Sequence, residues 1–107
     1  MDKAEIVERV LDSMRDVFDP EIPVNIVDLG LVYEVNLNDE GHAHILMSLT
    51  SMGCPAQDII EAESITAALR VPQVKNAEVE ITFNPPWTPE KMSEDGKKLM
   101  RMYGFNL

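Results

Sequence analysis

The stretch "LVYEVNLNDEGHAHILMSLT", residues 31–50, predicts the centre of the fold. Two segments in which apolar and polar residues alternate flank "NDEG", a run of residues that favour turns. The pattern predicts an antiparallel β-hairpin with one apolar and one polar face. The residues predicted to face inward are Leu31, Tyr33, Val35 and Leu37 in the first strand and Ala43, Ile45, Met47 and Leu49 in the second.

Helices and a third strand are predicted around this hairpin. Their ranges are 2–18, 55–69 and 94–103 for the helices and 77–84 for the strand. Asp2 with Glu5 resembles a capping box, and Ser93 is the expected cap of the last helix. The order α-β-β-α-β-α predicts one α+β domain over residues 1–107, with helices on one face of a small three-stranded sheet. The pattern leaves the strand order open and makes the other sheet face polar, hence solvated or an interface.

The second predicted helix has a broad apolar face. The residues assigned to that face are Ala56, Ile59, Ile60, Ala62, Ile65, Thr66 and Leu69.

Composition excludes several classes of function. Nine basic and nineteen acidic residues give a formal charge of −10, which disfavours nucleic acid and anionic membrane surfaces as partners. No apolar run approaches the length of about 20 residues that a membrane-spanning helix needs, and the N-terminus does not resemble a signal peptide. We therefore expect a cytoplasmic protein. A disulfide within the chain needs two cysteines, and this chain has one.

The single cysteine lies in "TSMGCP", residues 50–55, directly after the hairpin. Proline favours the first position of a helix, so Pro55 makes Cys54 the expected N-cap. Backbone N–H groups and the helix dipole at that position would lower the pKa of the thiol and make it reactive. The alternative is that the corner needs a small residue and that the sulfur is incidental.

Other residues limit what this thiol could do. His42 and His44 begin the strand that ends near Thr50, so about 20 Å separates them from the cysteine corner and a Cys–His catalytic pair is excluded. Structural zinc and permanent iron–sulfur clusters need about four ligands. We therefore expect no catalytic residue and no permanent cofactor, and any metal ion or cluster held transiently at Cys54 would need further ligands from outside the chain.

Polar residues before the hairpin and beside the cysteine are candidates to support it. They are the carboxylates of Asp19, Glu21 and Asp28 and the hydroxyls of Thr50 and Ser51. Turn formation is the alternative role for Asp19 and Asp28. The only tryptophan, Trp87, is a candidate partner-binding residue, with core packing as its alternative.

Three stretches together resemble a known family. "DPEIPVNIVDLGLVYEV" (residues 19–35), "TSMGCP" (50–55) and "FNPPWTPEKMS" (83–93) resemble the SufT-like and PaaD-like family of iron–sulfur cluster assembly proteins. The resemblance implies an α+β assembly-domain fold and a carrier or adaptor that delivers clusters, iron or sulfur to apoproteins. It places the family's reactive cysteine on Cys54, its acidic loop residues on Asp19, Glu21 and Asp28, and its hydroxyl on Thr50.

The partners that this resemblance implies are iron–sulfur assembly proteins and client apoproteins, and a homodimer is a further expectation. The alternative function is a protein-interaction adaptor in which Cys54 is only structural. A stand-alone thiol enzyme is the least favoured function, because no histidine lies within reach of the thiol.

Overall fold

The computed structural model describes residues 2–18, 24–50 and 56–104. Its elements, in chain order, are α1 (Lys3–Met14), β1 (Val32–Leu37), β2 (His42–Met47), α2 (Gln57–Leu69), β3 (Asn76–Ile81), a 3₁₀ helix (Pro89–Lys91) and α3 (Glu94–Met102). This order confirms the predicted α+β arrangement of three strands and three helices. Among the described residues, no helix has both the length and the apolar character needed to cross a membrane.

The sheet has the order β1-β2-β3. β1 and β2 form the predicted antiparallel hairpin, and β3 pairs with β2 in parallel after the connection through α2. A bulge between Val32 and Glu34 interrupts the alternation in β1. Because the bulge adds one residue to the strand, Val32 packs against the core in place of Tyr33, whose predicted inward position is therefore wrong.

The predicted caps of two helices are confirmed. The Asp2 carboxylate accepts the N–H of Glu5 at 2.9 Å, and the Ser93 hydroxyl accepts the N–H of Gly96 at 3.0 Å. The predicted start of α2 is wrong, because the helix begins at Gln57 and its N-cap is Ala56 instead of Cys54. The methyl group of Ala56 supplies no acceptor to the first turn of this helix.

The core lies between one face of the sheet and the helices α1 and α2. Its largest fully buried apolar side chains are Met14, Ile26, Leu29, Leu31, Ile45, Met47, Leu49 and Ile60. The Ser13 hydroxyl donates to the Ala67 carbonyl at 2.7 Å and joins the two helices. On the uncovered sheet face, His42 and His44 contact Glu78 and Glu80 at 3.1 and 3.0 Å.

Only part of the predicted apolar face of α2 is buried. Ala56 and Ile60 lie in the core with Ala67 and Ala68, whereas Ile59 is 57% exposed and Leu69 is 44% exposed. Ala62 and Thr66 are exposed as well. A helix with apolar residues all around its circumference has no single face that its sequence marks as inward. Ile59, Ala62, Thr66 and Leu69, four members of the broad apolar face assigned from the sequence, are therefore exposed and lie outside the core.

Candidate functional site

The end of β2 fixes where the cysteine corner begins. Ser48 and Leu49 are buried, and the N–H of Ser48 donates to the carbonyl of Leu31 at 2.8 Å. Thr50 is half-buried two residues further on. Ala56, where the description resumes, is buried too. The described chain on both sides of the corner is therefore anchored in the core, while Ser51 and Cys54 lie outside the described residues.

The segment before β1 is anchored to the end of α1. Phe18 and Asn25 form an isolated antiparallel bridge, and the N–H of Ile26 donates to the carbonyl of Val17 at 2.9 Å. The chain is therefore held together on both sides of the acidic stretch that contains Asp19 and Glu21, two candidates that also lie outside the described residues.

Asp28 is engaged in hydrogen bonds with protein groups through both carboxylate oxygens. Oδ2 accepts the side-chain amide of Asn25 at 2.7 Å, and Oδ1 accepts the hydroxyl of Ser93 at 2.9 Å. The backbone carbonyl of Asp28 also accepts the N–H of Ser93 at 2.8 Å. These contacts connect the turn at residues 25–30 to the first turn of α3. A supporting role toward Cys54 stays a prediction.

Trp87 contacts the same turn from the tail of the chain. Its indole N–H donates to the Leu29 carbonyl at 2.6 Å, and its half-buried ring packs against the core. Both contacts agree with core packing, the alternative role of Trp87. Because part of the ring is exposed, its contact with a partner protein stays a prediction.

Two glycines allow the tail to approach this turn closely. A Cβ at Gly30, where φ is +79°, would lie 2.1 Å from the carbonyl oxygen of Lys91, and a Cβ at Gly96 would lie 2.6 Å from that of Asp28. We call the contact between residues 25–30 and residues 87–96 the clasp. The local pattern predicted Ser93 as a cap, but not its bond to Asp28, which is 65 positions away.

An open groove of about 460 Å³ lies beside the clasp. Its lining residues are Gly30, Val32, Tyr33, Glu34, Leu46, Asn84, Pro85 and Lys91. The Tyr33 hydroxyl donates to the Pro85 carbonyl at 2.8 Å, and the Lys91 ammonium lies 5.1 Å from the centre of the Tyr33 ring. The bulge in β1 places Tyr33 here, and a bulge leaves no clear sequence signal, so this groove was missed.

The described residues do not build a metal cage. Within residues 2–18, 24–50 and 56–104, no three His, Cys, Asp or Glu side chains cluster in a way that could hold a metal ion. The two histidines contact glutamates of β3 on the polar sheet face. Chemistry that depends on a thiol would therefore involve the corner at Cys54, the only cysteine.

Comparison with known proteins places the chain in a family. The model of the iron–sulfur cluster assembly protein family matches residues 7–81. The Fe-S protein maturation auxiliary factor YitW of Bacillus subtilis is 49% identical over 90 residues, which cover 84% of this chain and 88% of the relative. The Fe-S protein maturation auxiliary factor SufT of Staphylococcus aureus is 46% identical over 81 residues, which cover 76% and 92%.

A solved structure has the same fold. The crystal structure of a domain of unknown function from Bacillus anthracis superposes with a TM-score of 0.87 at 35% identity, and it covers 92% of this chain and 94% of that chain. These similarities confirm the resemblance to SufT-like and PaaD-like proteins. The chain belongs to the iron–sulfur cluster assembly protein family.

Proposed function

We propose that this protein takes part in the maturation of iron–sulfur proteins as a carrier or adaptor. It receives a cluster, or iron and sulfur, from assembly proteins and passes this cargo to client apoproteins. The observation that carries the proposal is the family match over residues 7–81, a range that includes Cys54. Two relatives above 45% identity are named as maturation auxiliary factors, which supports the same role.

Cys54 is the proposed ligand for the cargo. Thiolate is the protein ligand that iron–sulfur clusters use most, and this chain has one thiol. One thiolate leaves the other coordination positions of a cluster to ligands from a donor or a recipient. Such partial coordination suits transfer of the cargo better than permanent storage. Asp19, Glu21, Asp28, Thr50 and Ser51 are the proposed supporting residues.

The surroundings of the corner suit a fixed position for this ligand. Leu49 before the corner and Ala56 after it are buried, and the clasp holds the turn that leads into β1. A ligand held by a rigid scaffold can be presented to a partner at a lower entropic cost than a ligand on a mobile chain. We propose that the protein presents Cys54 in this way and needs no catalytic residue of its own.

Anaerobic reconstitution tests this proposal directly. Purified protein is incubated with ferrous iron and sulfide and desalted, and then mixed with the apo form of a ferredoxin that takes a [4Fe–4S] cluster. We expect visible thiolate-to-iron absorbance on the protein and its later appearance on the ferredoxin. Cys54→Ser is the matched variant, because it removes the only thiol and keeps the size of the side chain. Equal absorbance and transfer with both proteins would overturn the role of Cys54 as a ligand.

The groove beside the clasp favours a second candidate function, a docking adaptor in which Cys54 is only structural. It combines apolar surface with a carboxylate at Glu34 and an ammonium group at Lys91. Half-exposed Trp87 belongs to the neighbouring clasp. Mixed apolar and charged surfaces of this kind are suited to binding another protein.

Complementation separates the two functions. The chain is expressed in Bacillus subtilis lacking YitW, and the activities of iron–sulfur enzymes are measured against enzymes without clusters. The carrier function predicts that Cys54→Ser fails to restore these activities while Lys91→Glu succeeds. The adaptor function predicts the reverse, with Trp87→Ala failing as well. Thermal unfolding of each purified variant checks that a failure does not reflect loss of the fold.

A further inference from the structure

The outer side of β3 presents backbone groups that no described residue binds. β3 lies at one edge of the sheet, and β2 is the only strand of the described chain that pairs with it. The N–H groups of Asn76 and of Thr82, just after the strand, donate to the carbonyls of Gly41 and Met47 at 3.3 and 2.9 Å. Successive residues of a strand direct their backbone groups to opposite sides, so the alternate residues direct theirs away from β2. These residues are Ala77, Val79 and Ile81.

These outward groups form an open edge of the sheet. Within the described residues, none of them makes a hydrogen bond to another backbone group. We call the outer side of residues 77–81 the β3 edge. An edge with unpaired N–H and C=O groups is a template on which another chain can add a strand.

The opposite edge of the sheet is protected against such pairing, whereas the β3 edge is not. The bulge between Val32 and Glu34 interrupts β1, and bulges are one device by which edge strands avoid pairing with other chains. β3 pairs with β2 without a register shift along all six of its residues, and it contains neither proline nor lysine. The β3 edge therefore has the regular backbone that a further strand requires.

The side chains of β3 determine which strand would fit this edge. Glu78 and Glu80 are exposed on the uncovered sheet face. His42 and His44 contact their Oε1 atoms, and Oε2 of each glutamate makes no ion pair within the described chain. The alternate residues of β3 are half-buried on the opposite face and pack against the core. A strand that pairs here must therefore bring cations to one face and apolar side chains to the other.

We propose that the β3 edge binds an extended segment of a partner protein in which basic residues alternate with apolar ones. The segment adds a fourth strand of about six residues, and its backbone pairs with the outward groups of β3. Its basic side chains lie beside Glu78 and Glu80, and its apolar side chains cover the exposed parts of Val79 and Ile81. This docking site goes beyond the proposed carrier function, since it involves neither Cys54 nor the groove beside the clasp.

Charge favours a basic segment over a second copy of this chain. Antiparallel pairing of two β3 edges would place the glutamates of both copies on the same sheet face, where neighbouring like charges destabilise a pair of strands. The formal charge of −10 adds repulsion between two copies. For a basic segment both effects are attractive, which favours the encounter and suppresses wrong orientations.

NMR titration of the metal-free protein tests the docking site. The probe is a short peptide with blocked ends in which lysine alternates with valine. Binding should slow hydrogen exchange at the outward N–H groups of Ala77, Val79 and Ile81, and by about tenfold at a peptide concentration of about ten times the dissociation constant, because only unbound protein exchanges. The N–H groups of Glu78 and Glu80 already face β2 and should change little. Unchanged exchange at the outward groups would overturn the proposal.

A backbone-methylated peptide separates strand pairing from simple charge attraction. It has the same side chains as the probe, but methyl groups replace the N–H hydrogens that would face β3. We expect it to bind about tenfold more weakly or worse. A peptide with glutamate in place of lysine keeps the backbone groups and should also bind about tenfold more weakly or worse. Equal affinity of the methylated and unmodified peptides would reduce the binding to charge attraction and overturn the proposal.

Charge reversal on the protein locates the contact. The double variant Glu78→Lys with Glu80→Lys should raise the dissociation constant of the probe about tenfold or more. The matched control, Glu8→Lys with Glu63→Lys, makes the same change of charge at exposed positions of α1 and α2 and should stay within about threefold of the native value. Equal effects of the two double variants would overturn the assignment to the β3 edge. Thermal unfolding of each variant checks that the fold is kept.

Val79→Pro tests the backbone contact from the protein side. Proline removes the outward N–H at this position and leaves the bonds to β2 in place, as edge strands allow. It should weaken binding of the probe while the glutamates remain. Slow exchange at the β3 edge of the peptide-free protein that is lost on dilution would identify a second copy as the occupant and would overturn the proposal.

Discussion

The clasp and the exposed side of α2, which carries Ile59 and Leu69, use their residues in opposite ways. In the clasp, Asp28 and Trp87 have the polar and aromatic character expected of a binding site, yet both make hydrogen bonds within the protein. On the exposed side of α2, Ile59 and Leu69 have the apolar character expected of core residues, yet they face outward. Residue type alone therefore does not separate scaffold from interaction surface in this small domain.

The physical reason is the different support that the two regions have. Residues 25–30 lie outside the helices and strands, so specific hydrogen bonds and close backbone contacts must hold them. The backbone groups of α2 are hydrogen-bonded within the helix, so the helix needs to be buried on one side only. The small side chains of Ala67 and Ala68 belong to that buried side. Its other side is free to serve another purpose.

The largest expected difference in the free energy of unfolding is between variants of two neighbouring isoleucines of α2. Ile60 is fully buried and Ile59 is 57% exposed. Ile60→Ala should lower the free energy of unfolding by about 4 kcal/mol, because it removes buried methylene groups and leaves a cavity. Ile59→Ala should change it by less than about 0.5 kcal/mol. Urea unfolding at low protein concentration measures both, and similar losses would show that the outer face is part of the core.

Glycine substitutions test the clasp by separating two kinds of strain. Gly30→Ala combines a positive φ with a contact of 2.1 Å to the Lys91 carbonyl and should cost about 3 kcal/mol of unfolding free energy. Gly96→Ala adds only the close contact with Asp28 and should cost about 2 kcal/mol. Gly104→Ala, where φ is +90° and the described residues place no atom within 4 Å of the new Cβ, should cost about 1 kcal/mol.

The order of these three losses, obtained from urea unfolding curves, is the decisive result. Equal losses for Gly30→Ala and Gly104→Ala would mean that the tail can move away from the turn, and the clasp would then not be a fixed contact.

A double-mutant cycle tests whether the polar contacts of the clasp act together. Asp28→Ala removes an acceptor from both Asn25 and Ser93 and should cost about 2 kcal/mol of unfolding free energy. Ser93→Ala also removes the cap of α3 and should cost about 1 kcal/mol. Because the two residues share a hydrogen bond, the double variant should lose about 0.5 kcal/mol less than the sum.

Additive losses in this cycle would show that the bond between Asp28 and Ser93 contributes little. The alkylation rate of Cys54, the only thiol, gives a second readout on the Asp28→Ala protein. A rate that matches the native protein under folding conditions would make Asp28 a clasp residue only, and a changed rate would support its proposed role beside the thiol.

Local patterns were enough to predict most elements of the fold. Alternation predicted the hairpin, and the caps at Asp2 and Ser93 follow from contacts within three residues along the chain. The bulge at Tyr33 and the outer face of α2 could not be predicted in this way. A bulge depends on how two strands pair, and an apolar helix has no period that selects its buried side.

The candidate site was predictable to a lesser extent, since much of it depends on contacts that are distant along the chain. Sequence patterns pointed to Asp28 and Trp87, but not to their partners Ser93 and Leu29, which are 65 and 58 positions away. The role of Cys54 rests on its sequence context and on the family, and it stays a prediction. The groove at Tyr33 and Lys91 arises only when the bulge and the tail meet.

The smallest expected change in stability comes from removing a carboxylate at the solvent-exposed edge of the clasp. The pKa of Glu90 is lowered from its ordinary value of 4.5, chiefly by its own backbone N–H and then by the Thr88 side chain. A lowered pKa in the folded state stabilises the protein above the unfolded value, and this contribution is lost as the pH falls through the folded value. The gap in stability between native protein and Glu90→Gln should therefore shrink on acidification below pH 4.5.

Urea midpoints of both proteins at neutral pH and at about pH 3 measure this gap, which is small because the carboxylate is exposed. Asp39→Asn is the matched control, since Lys3 lowers the pKa of Asp39 in the hairpin turn, away from the clasp. Combined with Gly30→Ala, the Glu90 effect should vanish if the tail has left the turn, whereas the Asp39 effect should persist. If the Glu90 and Asp39 effects both persist in the Gly30→Ala protein, Glu90 stabilises its own 3₁₀ turn independently of the clasp.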